Sequence, residues 1–154
     1  MTSLFSIITA KPILIGLHLG FAILAIDAFL WLLGEYFAKV TQFKRMMWAA
    51  LIGTLGFFLS WIFGGYYYVK FYGTLVKPTI VAGLTPWAHA VAMEAKEHIF
   101  LFVPPLAMTI LFLVLTKNPA LRKQTMWLTG LIVFLALTIG AMGFIISAAA
   151  RWGT

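Results

Sequence analysis

Cysteine is absent from the 154-residue chain. Its absence excludes disulfides, thiolate metal sites, c-type haem attachment and iron–sulfur ligation within this chain. Charge is scarce as well: only 10% of residues are charged, and Asp and Glu together number 4 against 11 Lys and Arg. With 63% hydrophobic residues and a mean hydropathy of +1.02, no soluble domain of this size could bury its apolar surface, so the solvent is expected to be lipid. The formal charge of +7 is not a nucleic-acid signal, because the basic residues sit at the ends of apolar runs.

Four such runs stand out, at 12–37, 46–69, 86–116 and 125–150. Each meets the length of about 20 residues that a helix needs to cross the hydrocarbon core. Backbone in lipid must satisfy its own hydrogen bonds, and the alternating pattern of barrel strands is missing. The expectation is therefore an all-α, up-down four-helix bundle, forming one transmembrane domain over residues 1–154. The first run is too long for a signal-peptide core, lacks a small-residue cleavage site after it, and is expected to remain in the mature chain.

Lys39, Lys44, Arg45, Lys117, Arg122 and Lys123 lie in the first and third loops; Lys11, Lys70, Lys77, Lys96 and Arg151 lie on the other side. The positive-inside rule then places both termini outside the cytoplasmic (inner) membrane. The connection over residues 71–85 is read as the longest loop. Thr85 is expected to cap a third helix starting at Pro86, with a flat interfacial helix over 86–96 as the alternative.

Small residues form stripes at helical spacing. Gly16, Gly20, Asp27 and Gly34 share a face of the first helix; Gly53, Gly56, Ser60 and Gly64 share one on the second; Ala136, Gly140, Gly143, Ser147 and Arg151 share one on the fourth. Such stripes serve close packing between membrane helices. They also leave room for a flat cofactor or a docking partner.

Ionisable groups inside spans are costly, and each is a functional candidate. Glu35, at a helix end, is expected to be solvated. His18 and His98 stand at matched depth on the first and third helices, which lie diagonally in an up-down bundle. With neighbouring axes at 8–10 Å, the diagonal is roughly 11–14 Å, a gap that two imidazoles can bridge through a metal. The expectation is one haem b per chain between His18 and His98, with Arg151 and Lys70 near its propionates and His89 as a substitute ligand. Glu94, at i−4 from His98, could orient that imidazole or join a non-haem Fe, Mn or Zn site with Glu97, His98 and His18. A solvated, charged helix end is the plain alternative for "EAKEH". Pro104 and Pro105 remove donors from the third helix, and a kink there would either reshape the core below His98 or serve structure alone. Asp27, deep in the first helix and opposite His18, is read as a proton relay or a contact with a partner subunit.

The stretch "HIFLFVPPLAM", residues 98–108, resembles the first-helix "HFLFVP" pattern of the large haem-bearing subunit of cytochrome bd oxidases. His98 stands further from Pro104 than in that pattern. The resemblance implies a haem ligand at His98, and the whole chain is similar in architecture to small four-helix membrane b-type cytochromes. The leading expectation is a redox carrier or a subunit of an oxidoreductase complex, with no catalytic residue of its own. It would deliver electrons to or from a quinol or an extracytoplasmic redox partner, and dock other membrane subunits or a second copy. The competing expectations are a non-haem metal or proton site, and a cofactor-free subunit whose glycine faces grip partner chains. Under the leading one, His18→Ala and His98→Ala should each abolish haem binding.

Overall fold

The computed structural model describes residues 4–152. Among these, every regular element is helical. A short α1 (Leu4–Ile8) precedes α2 (Lys11–Phe37). After α3 (Phe43–Tyr67) the chain continues without a break through a π-helical segment, Tyr68–Val76, into α4 (Lys77–Ala82). A second π-helical segment, Ala88–Met93, leads into α5 (Glu94–Leu115). A 3-10 turn at Pro119–Leu121 then opens α6 (Arg122–Trp152). Four helical units, Lys11–Phe37, Phe43–Ala82, Ala88–Leu115 and Pro119–Trp152, are long and apolar enough to cross a membrane. The chain is an integral membrane protein.

The helices form a four-membered ring in cross-section. α3 packs on α2 and α5, and α6 packs on α5 and α2. α2 and α5 are thus diagonal, as an up-down bundle requires. The core is apolar: Phe29 stacks on Phe57 at 5.6 Å between ring centres, and Val103, Ala107, Ile110 and Ile132 close the interior from α5 and α6. Thr54, buried in this core, holds its hydroxyl 2.7 Å from the Ala50 carbonyl and 3.2 Å from that of Ala107 on α5.

The α2–α3 contact explains one glycine stripe. A methyl group at Gly56 would stand 2.9 Å from the Ala25 side chain and 3.0 Å from the Phe21 carbonyl; one at Gly53 would enter the Phe29 ring. These glycines let the two backbones approach. The stripe on α2 has the opposite fate. Gly16, Gly20, Asp27 and Gly34 are all exposed, and a methyl group at any of the three glycines would meet nothing within 4 Å.

The end of the bundle with the short loops is tied by polar contacts. At the C-terminus of α2, Val40 N–H donates to Glu35 O at 3.0 Å and Lys39 N–H to Tyr36 O at 3.1 Å. Lys39 takes the left-handed conformation (φ 55°) that this helix stop requires. Glu35 is buried (4% exposed), against the expectation of a solvated helix end. Its Oε1 accepts from Trp31 Nε1 at 2.7 Å and from the Arg45 guanidinium, a partner ten residues away that sequence spacing does not announce.

Three further expectations change. Residues 71–82 are helical, not loop, because an apolar, aromatic segment in lipid gains by keeping its backbone bonded. Thr85 does not cap: its hydroxyl is buried without a partner, and its carbonyl accepts from Ala88 N–H instead. The stretch 88–96 is no separate helix, since it runs directly into α5. Pro104 and Pro105 also leave α5 assigned as one helix from Glu94 to Leu115.

Candidate functional site

At the end of the bundle that carries both ends of the described chain, the helices part around a cavity of about 780 Å³. That volume lies in the range of about 300–1,000 Å³ typical of small-molecule and cofactor sites. Two sequence features make the space. On α6, Gly140 and Gly143 put no side chain into it, so this stripe supplies room where the stripe on α3 supplies packing. On α3, Gly64 lies directly under the His18 ring, where a methyl group would collide with the ring's Nδ1 and Cε1.

His18 is held in one tautomer. Its Nδ1 lies 2.9 Å from the Ser60 carbonyl, which can only accept, so Nδ1 carries the proton. Ser60 Oγ donates to the His18 carbonyl at 3.0 Å, leaving its lone pairs toward Nδ1, also at 3.0 Å. Both contacts therefore require Nδ1–H, and Nε2 keeps a free lone pair. A backbone carbonyl on one ring nitrogen with the other left basic is the usual arrangement of a metal-ligating histidine.

The charged part of the wall comes from three helices: Lys11 on α2, Lys96 and Glu97 on α5, and Arg151 on α6. Three cations against one carboxylate favour a ligand with acidic groups. The Lys96 chain folds toward α6, its Cε 3.8 Å from where a methyl group on Gly143 would stand. Glu97 Oε1 is buried with no hydrogen-bond partner. Aromatic residues complete the wall, with Tyr68 stacked on Tyr72 at 5.1 Å between ring centres.

Of the residues singled out in the sequence, this cavity gathers His18, Glu97 and Arg151. His98 does not line it. The side chain is exposed, and its Nδ1–H donates to Glu94 O of its own helix at 2.6 Å. The two histidines do not share a wall. His89 is buried instead, its Nδ1 sharing a 3.0 Å hydrogen bond with the Tyr72 hydroxyl, and it too lies off the cavity. Lys70 is exposed, its Nζ over the rings of Tyr66 and Phe71, and Glu94 is exposed beside His98. The partner that orients His18 is Ser60, not a carboxylate.

Among the described residues no three His, Cys, Asp or Glu side chains come together as a metal site. Glu94, Glu97, His98 and Asp27 do not form such a group. Sequence reasoning missed Lys11, Lys96, Ser60 and Tyr72. Of these only Ser60 carried a signal, its place in the glycine stripe facing α2.

No protein family, characterised protein or solved structure matches the chain. What the fold and cavity define is a class: a membrane-embedded helical bundle with a cofactor-sized cavity at one end.

Proposed function

We propose that the chain is a membrane electron-transfer subunit that holds a b-type haem in this cavity on His18. The observation carrying the reading is the His18 Nε2 lone pair, left free by the Ser60 carbonyl on the wall of a cofactor-sized cavity. The residues fit the group. Gly140 and Gly143 leave space for a flat ring system, Gly64 makes room for the imidazole, and Lys11, Lys96 and Arg151 offer cations to the two acid groups. When bound, haem supplies one-electron redox chemistry. The chain's own part is to bind and orient: Ser60 fixes the imidazole, the bases hold the acid groups, and apolar walls keep water out.

Gly64→Ala tests the geometry. Its methyl group displaces the His18 ring from Ser60 and should remove most of the bound haem. Gly65→Ala, whose methyl meets nothing within 4 Å, should leave haem content unchanged. Equal haem in both variants would refute His18 as the ligand.

The proposed setting is the cytoplasmic membrane with both termini outside, which puts the cavity in the outer half of the bilayer. The open face of α2 supports a place in a larger assembly. Asp27 sits there mid-helix, exposed, in a segment that otherwise faces lipid. A carboxyl at that depth costs about 2.5–3.5 kcal/mol by insertion scales, a cost that another chain's donor would offset. Asp27→Leu should then release the chain from its complex in mild detergent, read as a smaller particle by light scattering. An unchanged mass would remove this face from the interface.

A further inference from the structure

The cavity reaches the lipid directly. Leu19 on α2 and Phe144 on α6 line it and are exposed, as are Trp61 on α3 and Leu101 on α5. An apolar ligand therefore reaches the site sideways from the bilayer. The cavity is also long: its lining on one helical unit runs from Ser60 to Thr79. Glu97, Tyr68 and Tyr72 line one stretch of it.

That stretch has a defined chemical demand. Glu97 Oε1 is a buried acceptor without a donor, and Tyr68 and Tyr72 line the cavity with it. An unsatisfied buried carboxylate oxygen is costly unless a ligand supplies the missing donor. The ligand must bring an O–H, carry it on a flat apolar body that suits tyrosine walls, and dissolve in the membrane. We infer that the Glu97 side of the cavity binds a hydroquinone from the bilayer, one hydroxyl donating to Glu97 Oε1.

Oxidation of one hydroquinone to the quinone releases two electrons and two protons. Haem held on His18 would supply a one-electron acceptor for this oxidation. One proton goes to the Glu97 carboxylate and the other to water at the cavity mouth. This electron route rests on the haem reading; the binding of hydroquinone does not.

The test measures quenching of tryptophan fluorescence in the detergent-purified chain, with Trp61 as the reporter on the wall. The probes are a short-chain benzoquinol under reducing conditions and its dimethyl ether, which has the same body without O–H groups. The wild type should bind the quinol about tenfold or more tightly than the ether, as a lost hydrogen bond to a charged group implies. Glu97→Leu should abolish that preference while keeping the thermal midpoint, and Trp61→Phe should remove most of the quenching. Equal affinities in the wild type, a preference that survives Glu97→Leu, or quenching that survives Trp61→Phe would each overturn the inference. Haem content is read separately. Protein without haem that keeps the preference refutes the haem reading alone, and haem-loaded protein without it refutes the hydroquinone site alone.

Discussion

His18→Ala is expected to abolish haem binding, and His98→Ala to leave it within about 20% of the wild type, as measured by pyridine haemochrome per mole of chain. The asymmetry follows from two histidines on different kinds of surface. His18 presents a free Nε2 to a cavity, with Nδ1–H fixed on Ser60. His98 is exposed, with Nδ1–H on its own helix. Removing the first takes away the only imidazole on the cavity wall. Removing the second takes away one surface hydrogen bond. Loss of haem in both variants would restore the two-histidine site expected from sequence, and would require α5 to turn His98 inward when loaded.

The second large effect concerns the fold. Gly56→Val should lower stability by about 3 kcal/mol or more, because its side chain meets backbone as well as side chain. The Phe21 carbonyl at 3.0 Å and Ala25 Cα at 3.2 Å cannot rotate away, so α2 and α3 must separate. Gly20→Ala, on the open face of α2, should be neutral or stabilise by about 0.5–1 kcal/mol, since it removes only the backbone-entropy cost of a helical glycine. Thermal unfolding in detergent reads both. Equal shifts would mean that the α2–α3 approach does not limit stability.

The parts legible in the sequence were those set by the solvent. Lipid demands long apolar helices, so the four spans emerged, with ends shifted by a few residues except where the unit that begins with α3 runs on through α4 to Ala82. Short loops made neighbours antiparallel, so the diagonal placement of α2 and α5 followed. The outward face of Asp27 followed too, once His18 was taken to face inward, because the two lie on opposite sides of one regular helix.

The residues that were misplaced lie where the helix is not regular or the partner is distant. His98 follows the π-helical segment Ala88–Met93, whose wider turn rotates everything after it relative to an α-helical projection. His89 and His98 do face opposite ways, as their separation implied, yet the inward one is His89. Glu35 was read as solvated because Arg45 meets it only across a hairpin. Lys96 looked like part of a solvated collar because nothing local shows that Gly140 and Gly143 on α6 leave a cavity for it to enter. Glycine stripes alone could not say which packs and which makes room. That depends on the facing helix: Ala25 and Phe29 lie against Gly53 and Gly56, whereas a methyl group at Gly140 would meet no described residue of another helix within 4 Å.

The most direct test of the haem site is a reduced-minus-oxidised absorption spectrum of the purified chain in detergent, expressed with adequate haem supply and quantified as the pyridine haemochrome. The account predicts a b-type spectrum at about one haem per chain, lost in His18→Ala. A wild-type chain with no haem absorption would contradict it.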